Sequence, residues 1–208
     1  VLELSSYQIN LCPTFRPDIS AILNITPDHI DRHGSLGNYA AVKERLFEKN
    51  GTAIICSDDE YTRAMLERAK DAGKREVISV SYNDAPESKT LKGEHNRQNI
   101  ACACAVAGKI GLSPEETWSA IESFPGINHR QYLVRTINGV AYVNDSKATN
   151  AASSAMALQC QSNVYWIVGG RKKKTGLDGL EKFFDHINHA FLIGETTEEF
   201  GGWFDKYG

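Results

Sequence analysis

The chain has 208 residues, which is enough for one large or two small domains. Its hydrophobic fraction of 41% and charged fraction of 24% are typical of a globular protein, and its net charge of −3 does not suggest a nucleic-acid partner. No apolar run reaches the ~18 residues that a membrane-spanning helix needs, and no signal peptide is visible. We therefore predict neither nucleic-acid binding nor membrane insertion.

The cysteines are odd in number and show no C-x-x-C pair or metal-ligand spacing: Cys12, Cys56, Cys102, Cys104 and Cys160. This usage is typical of a reducing compartment, so we predict structural thiols and a cytoplasmic protein. The chain opens at Val1 in a stretch that resembles the inside of a strand, and it ends at Gly208 just after a helical pattern. We expect it to be the middle of a longer polypeptide.

Strands and helices alternate along the first half of the chain. The predicted elements are strand Val1–Leu4, strand Ile19–Ile25, helix Tyr39–Lys49, strand Ala53–Cys56, helix Asp59–Ala72 and strand Val77–Val80. Such alternation predicts a mostly parallel sheet. Glu3 lies near the end of the first strand, where a buried acid is costly unless it binds a cation or another partner.

A long helix is predicted over residues 94–110, after a polar connector. Helical spacing places Asn96 and Asn99 on its inward-facing stripe. A shorter helix follows, and the helical pattern then breaks at residues 124–127. We therefore predict a domain boundary after Gly126.

The remaining sequence predicts a second α/β unit. The shorter helix before the boundary is Pro114–Ser123. The elements after the boundary are a hairpin of Tyr132–Ile137 and Val140–Val143, helix Ala151–Leu158, strand Val164–Val168, helix Leu177–Ile187, strand Ala190–Ile193 and helix Thr197–Tyr207. The hairpin has the favoured Asn138-Gly139 turn. Gly169 and Gly170 follow a strand, where a ligand could approach the backbone closely.

A run of short polar side chains, residues 144–150, follows the hairpin. Asp145 and Lys147 carry its only charges, and Asn150 or Thr149 can cap the next helix. Ligands of open α/β sheets bind at strand ends, and helix N-termini attract anions, so the run is typical of a binding loop. An ordinary polar loop with a good N-cap is the alternative on the residues alone.

Lys43 lies on the apolar stripe of its predicted helix, four residues from both Tyr39 and Phe47. Burial of a lysine lowers its pKa, and a neutral amine can react with carbon dioxide to form a carbamate. The carbamate would then be a carboxylate-like ligand for a cation. The alternative is that the side chain extends to solvent along the apolar surface.

Two further groups each have two interpretations. His29 with Asp28 and Asp31 is either a metal cluster or a surface hydrogen-bonding group. The basic run after Gly170, residues 171–174, lacks the glycine that precedes the lysine of a P-loop, so we reject that motif. It is either a solvated loop or a contact for phosphate or carboxylate groups.

Several of these stretches occur together, in a fixed order: Glu3–Gln8, Asn24–Arg32, Lys43, Gly93–Asn99, Gly126–Arg130 and Asn144–Asn150. In these motifs the chain resembles the Mur ligases from its first residue to about Gly208. The runs Glu3–Gln8 and Asn144–Asn150 are most similar to the branch of the family that adds D-glutamate.

The resemblance implies a role for each matched residue. For magnesium it implies Glu3, His29 and Lys43, the last as a carbamate. For ATP it implies Asn96, Asn99, Arg130 and Asp145. For the nucleotide-sugar substrate it implies Ser5 and Gln8, and for D-glutamate it implies Lys147, Thr149 and Lys173. The catalytic residues would be Lys43, His29 and Lys147.

The resemblance also implies a fold and an activity. Residues 1–126 would form a central P-loop-NTPase-like parallel-sheet domain that lacks its P-loop segment. Residues 127–208 would form part of a Rossmann-like α/β C-terminal domain that binds ATP and D-glutamate. The expected activity is magnesium- and ATP-dependent joining of D-glutamate to UDP-N-acetylmuramoyl-L-alanine through an acyl phosphate. This is a step of bacterial peptidoglycan synthesis, and we expect a cytoplasmic monomer to perform it.

Other functions fit the sequence less well. Another ATP-dependent ligase, such as a folylpolyglutamate synthase, is disfavoured by the Asn144–Asn150 run. A nucleotide-binding module without catalysis is disfavoured because both His29 and Lys43 are present. A dinucleotide-dependent dehydrogenase is unlike this chain, because no G-x-G-x-x-G motif follows any predicted strand.

Overall fold

The computed structural model describes residues 1–48, 50–86, 88, 90–171 and 176–207. The chain divides into two compact units, residues 1–123 and 124–208, and each is described by itself. The predicted boundary after Gly126 falls just inside the second unit. Within the described ranges, no helix is both long enough and apolar enough to cross a membrane.

The first unit is built on a parallel sheet. Its strands, in spatial order, are β1 (Ile19–Ile22), β2 (Thr52–Cys56) and β3 (Glu76–Val80). Both pairs of neighbours are parallel, with Ile19 opposite Thr52 and Thr52 opposite Glu76 at the start of the ladders. The α/β class with a parallel sheet, predicted from the alternating pattern, is confirmed.

The helices of the first unit are α1 (Ser6–Leu11), α2 (Ile30–His33), α3 (Leu36–Glu44), α4 (Glu60–Ala72), α5 (Glu94–Lys109) and α6 (Pro114–Ser123). A 3₁₀ turn over Arg45–Phe47 continues α3, and another over Tyr82–Asp84 follows β3. The helix predicted over residues 39–49 therefore begins earlier than expected, because Ser35 caps it by accepting from the backbone N–H of Asn38 at 3.1 Å.

The central strand β2 is buried on both faces. Ile55 packs in one apolar cluster with Met65 of α4, whereas Ile54 packs in another with Ile100 of α5. Neither isoleucine is exposed at all, at 0% each. A strand that is buried on both faces is a continuous apolar run, which explains the Ala-Ile-Ile-Cys sequence of residues 53–56. Helices therefore cover both faces, and polar residues collect at the carboxyl edge of the sheet.

Two strand predictions in this unit need correction. Val1–Leu4 is not a strand: none of the described strands pairs with it, and Ser5 instead caps α1. β1 ends at Ile22, three residues before the predicted end at Ile25. The reason is that the backbone N–H of Ile25 donates to Asp59 Oδ2, at 3.1 Å, and so leaves the strand ladder.

In its described residues, the second unit contains two separate pairs of strands. Its elements are β4 (Tyr132–Ile137), β5 (Val140–Asn144), α7 (Ala151–Gln159), β6 (Val164–Gly169), β7 (Ile187–Ile193) and α8 (Thr197–Tyr207). β4 and β5 form the predicted hairpin, and the positive φ angles of Asn138 (49°) and Gly139 (82°) are those of a type I′ turn. β6 and β7 are parallel.

The helix predicted over residues 177–187 is not an α-helix. The chain makes a turn and then a 3₁₀ helix over Glu181–His186, and β7 begins directly afterwards at Ile187. Leu177, Leu180 and Phe183 are all buried. Their spacing of three matches the three residues per turn of a 3₁₀ helix. The same apolar residues also fit one face of an α-helix loosely, and this ambiguity misled the prediction.

Candidate active site

Ser5 and Gln8 lie at the start of α1 and are hydrogen-bonded to each other. The Ser5 backbone N–H donates to Gln8 Oε1 at 2.9 Å, and Ser5 Oγ accepts from the backbone N–H of Gln8 at 3.3 Å. Together they form a capping box. Both side chains are exposed, which leaves their predicted contact with the nucleotide-sugar substrate sterically open.

His29 occupies a strained position immediately before α2. Its φ of 52° lies in the left-handed region, and its backbone N–H donates to Asp28 Oδ1 at 3.0 Å. The imidazole Nδ1 lies 3.4 Å from the Tyr7 hydroxyl, and Nε2 lies 3.4 Å from Asp28 Oδ2. Non-glycine residues in the left-handed region are uncommon and often mark functional sites.

Lys43, on α3, is half-buried with its Nζ 5.4 Å from the centre of the Tyr39 ring. Burial lowers the pKa of the Lys43 ammonium, while the carboxylates of Asp28 and Glu3 act in the opposite direction and raise it. Both carboxylates are therefore near enough to Lys43 to act on its charge, and His29 lies beside Asp28. The lowered pKa of Lys43 agrees with the prediction that burial on an apolar stripe would lower it.

The helix that carries Lys43 is anchored beside it. Arg68 of α4 donates to both carboxylate oxygens of Glu44, from Nε at 2.8 Å and from Nη2 at 2.7 Å. A forked contact of this kind fixes geometry as well as charge. The end of α3 is therefore held against α4.

The described residues contain no group of three His, Cys, Asp or Glu side chains arranged to hold a metal ion. Of the two interpretations of His29 with Asp28 and Asp31, the structure therefore favours the surface hydrogen-bonding group, in which the His29 imidazole lies close to the Asp28 carboxylate. Magnesium is commonly held by one or two carboxylates together with water and substrate phosphates. Glu3 and a carbamate on Lys43 would supply carboxylate oxygens for such an open site, and His29 would add a nitrogen ligand.

A network that the sequence did not predict links the carboxyl ends of the strands. Its centre is Asp58, two residues after the end of β2. The carboxylate accepts hydrogen bonds from Ser81 Oγ (2.7 Å), Cys56 Sγ (2.9 Å), the backbone N–H of Tyr82 (3.0 Å) and Gln98 Nε2 (3.0 Å). Burial acts to raise the pKa of Asp58, but these hydrogen bonds outweigh it and leave the pKa below its usual value.

Asn96 and Asn99 lie on the first turns of α5, but the predicted direction of Asn99 was wrong. Asn99 is exposed and Asn96 is half-buried, whereas Gln98 is buried, at 9% exposure. The inward stripe of α5 therefore runs through Gln98 and Ala101. The prediction followed Ala103, which is exposed. The two asparagines contact each other, with Asn99 Nδ2 donating to Asn96 Oδ1 at 3.3 Å.

In the second unit, the segment that contains Arg130 lies against the polar run after β5. The backbone N–H of Gln131 donates to Asp145 Oδ1 at 2.9 Å, and that of Lys147 donates to the carbonyl of His129 at 3.0 Å. His129 and Gln131 both have positive φ angles, 69° and 44°. The structure therefore brings Arg130, Asp145 and Lys147 onto adjoining loops.

Of the two caps proposed for α7, the structure selects Asn150. Its Oδ1 accepts from the backbone N–H of Ser153 at 2.8 Å, which leaves the Thr149 side chain exposed and outside the cap. Lys147 is exposed as well. Lys173, predicted as a second lysine for D-glutamate, lies outside the described residues.

Residues 1–101 match the family model of the Mur ligase middle domain. The chain belongs to the Mur ligase family. It is 43% identical over 226 residues to the UDP-N-acetylmuramoylalanine--D-glutamate ligase of Chelativorans sp. strain BNC1, covering 96% of this chain and 48% of the relative. It is 40% identical over 230 residues to the enzyme of the same name from Paramagnetospirillum magneticum, covering 99% of this chain and 50% of the relative.

The fold agrees with this membership. The chain superposes on the UDP-N-acetylmuramate-alanine ligase MurC of Thermotoga maritima with a TM-score of 0.69, at 15% sequence identity. The match covers 98% of this chain and 51% of that structure. The chain thus spans about half the length of the curated relatives that it matches.

Proposed function

We propose that the full-length protein joins D-glutamate to UDP-N-acetylmuramoyl-L-alanine at the expense of ATP, in bacterial peptidoglycan synthesis in the cytoplasm. The observation that carries the proposal is the 43% identity to a relative named for this reaction, over 96% of the chain. The run Asn144–Asn150, which resembles the D-glutamate-adding branch, supports this acceptor over those of other ligases.

Amide formation from a carboxylate needs an activated acyl group. The alanyl carboxylate would attack the γ-phosphorus of ATP, so that ADP leaves and an acyl phosphate forms. The neutral amine of D-glutamate would then attack the carbonyl carbon and lose a proton. Collapse of the tetrahedral intermediate expels phosphate and leaves the amide. Negative charge develops on phosphoryl and carbonyl oxygens, so cationic groups stabilise both steps.

The first unit would hold magnesium through Glu3, His29 and the carbamate of Lys43. Bound magnesium would neutralise charge on the phosphate groups. The lowered pKa of Lys43 supports the carbamate, because only the neutral amine reacts with carbon dioxide. Asp28 lies against the His29 imidazole and would orient the ring, as carboxylates commonly do for histidine ligands.

Asn96 and Asn99 would contact the nucleotide from α5, since an asparagine amide can bond both the donor and the acceptor of an adenine edge. Arg130 and Asp145, on adjoining loops of the second unit, would contact the phosphates and ribose of ATP. A guanidinium suits phosphate, and a carboxylate suits ribose hydroxyls.

D-Glutamate would be recognised by the polar run of the second unit. It carries two carboxylates, and its amine must keep a free lone pair to attack. Lys147 supplies a point charge and Thr149 supplies a hydroxyl that helix capping does not use. Lys173 is the proposed second lysine. Each charge-assisted hydrogen bond is worth ~1.5–3 kcal/mol, which is about tenfold or more in affinity.

The test is steady-state kinetics of the full-length protein with single substitutions. Thr149→Ala and Lys173→Ala should raise the KM for D-glutamate about tenfold and leave the KM for ATP unchanged, and Lys147→Ala should also lower kcat. Asn99→Ala should raise the KM for ATP instead. Thr136→Ala, on the exposed face of β4, is the control and should change neither. If Thr149→Ala raised only the KM for ATP, the assignment of this loop would be wrong.

A further inference from the structure

The carboxyl edge of the first sheet holds a closed polar network that none of the proposed ligand contacts uses. β2 and β3 end at Cys56 and Val80, and the polar residues that follow them, Asp58 and Ser81, hydrogen-bond directly. Ligands of open α/β sheets bind outside this edge. The network therefore lies between the sheet and the place where a ligand would bind.

Gln98 connects this edge to α5. Its Nε2 donates to Asp58 Oδ2 at 3.0 Å, and its Oε1 accepts from Asn24 Nδ2 at 3.2 Å. An ionised carboxylate can only accept, so the nitrogen of the Gln98 amide must face Asp58. The side chain is buried, with 9% exposure, and both ends of its amide are engaged, so a single orientation is selected.

The start of α5 depends on such tertiary anchors. Gly93 occupies the N-cap position with a φ of 90° and has no side chain to cap the helix. Arg97 supplies a second anchor beside Gln98, because its Nε donates to the carbonyl of Ala85 at 2.9 Å. Successive residues of a helix are ~100° apart, so fixing Gln98 also fixes the directions in which Asn96 and Asn99 point.

We propose that Gln98, held by Asp58, is a positioning residue that sets the rotation of α5 so that Asn96 and Asn99 meet the base of the nucleotide. This inference rests on the proposed ATP site. Gln98 is buried on the inner face of α5 and does not itself touch the nucleotide. Its role is to hold the asparagine pair in register with the amino and ring-nitrogen groups of adenine.

The test is nucleotide affinity of the full-length protein, measured by titration calorimetry with magnesium, for ATP and for ITP. ITP carries an oxygen where adenine has its amino group, so the ratio of the two dissociation constants reports recognition of the base. Gln98→Ala should weaken ATP binding about tenfold and bring the ratio close to one. Asp58→Asn, which keeps the side-chain shape, should act in the same direction.

Ile100→Val is the control for general damage to the helix. Ile100 is buried in α5, at 2% exposure, and packs in the apolar cluster that also contains Ile54 and Cys56. Its aliphatic side chain can neither donate nor accept a hydrogen bond of the network. This variant should lower stability and leave the ratio at its wild-type value. If it changed the ratio as much as Gln98→Ala did, the network would be only structural and the inference would be overturned.

Failure of the inference can be told apart from failure of the proposed function. A wild-type protein that binds ATP and prefers it to ITP, with both Gln98→Ala and Asp58→Asn unchanged, would overturn the positioning role alone. A wild-type protein that binds neither nucleotide would overturn the proposed function as well. Equal wild-type affinity for both nucleotides would show that the asparagines do not read the base.

Discussion

Arg75 supports the segment that joins α3 to β2, so its replacement tests how the helix of Lys43 is held in place. The guanidinium donates to the carbonyls of Leu46 at 2.9 Å, Asn50 at 3.1 Å and Gly51 at 3.5 Å. Burial lowers the pKa of this guanidinium, because the charged form loses part of its contact with water. One side chain therefore satisfies the end of the 3₁₀ turn and the turn that follows it.

The expected cost of Arg75→Ala follows from these contacts. Two of the three bonds have good length, and a hydrogen bond from a charged group contributes ~1.5–3 kcal/mol when buried. Arg75 is only half-buried, so water can replace part of each bond, and we expect a loss of about 2–3 kcal/mol. Arg75→Lys keeps the charge but not the fork, so it should recover less than half of this loss.

The assay is native-state hydrogen exchange of the full-length protein, which measures the opening free energy of the affected segment itself. A global unfolding curve is less suitable, because a multidomain protein need not unfold in two states. Amides of residues 50–56 should lose protection by the stated free energy in Arg75→Ala. Arg63→Ala is the control, since Arg63 is exposed and donates to one carbonyl, that of Ser57, at 3.1 Å. Equal losses in the two variants would refute the reasoning.

Three other predictions concern the first unit. Ile54→Ala should lower the opening free energy of the β2 amides by ~2–5 kcal/mol in the same hydrogen-exchange assay, because the side chain is fully buried, and unchanged protection would contradict the two-sided core. Lys43→Ala should lower ligase turnover on the order of a hundredfold, and added short carboxylic acids should restore part of it; wild-type turnover would exclude the carbamate. Burial, with the hydrogen bond to Asp58, raises the pKa of Cys56 from 9.0 to about 12, so its neutral thiol contributes stability that is complete below pH 9.0 and lost as the pH rises towards 12. Iodoacetamide at pH 8 should therefore label the exposed Cys12 and spare Cys56.

The sequence predicted the elements whose patterns are strong and local. α6 was predicted over its observed range because a capping box and a following break define both ends. Val1–Leu4 was predicted as a strand from composition alone, but a strand also needs a partner, and composition does not supply one. The segment 177–186 was mistaken for an α-helix because Leu177, Leu180 and Phe183 are buried at a spacing of three, which fits both kinds of helix.

For a related reason, some features of the candidate site could be predicted from the sequence and others could not. The half-buried position of Lys43 could be predicted because its neighbours on one helix, Tyr39 and Phe47, indicate an apolar stripe. Asp58 and Gln98 could not, because their partners come from segments far apart in the sequence. The one available signal was a polar residue soon after each of three consecutive strands: Asn24, Asp58 and Ser81. Residues that follow parallel strands meet at the carboxyl edge of the sheet, where ligands commonly bind. Polar residues at these three positions therefore indicate a polar network at that edge.

Acceptor choice tests the proposed function most directly. The full-length protein should be incubated with ATP, magnesium and UDP-N-acetylmuramoyl-L-alanine, and amide formation should be measured with D-glutamate, L-lysine, meso-diaminopimelate and L-alanine. We predict that D-glutamate is used far better than the other three, and that phosphate release depends on its addition. Preference for any other acceptor would contradict the interpretation of Asn144–Asn150, and no amide with any acceptor would contradict the ligase activity itself.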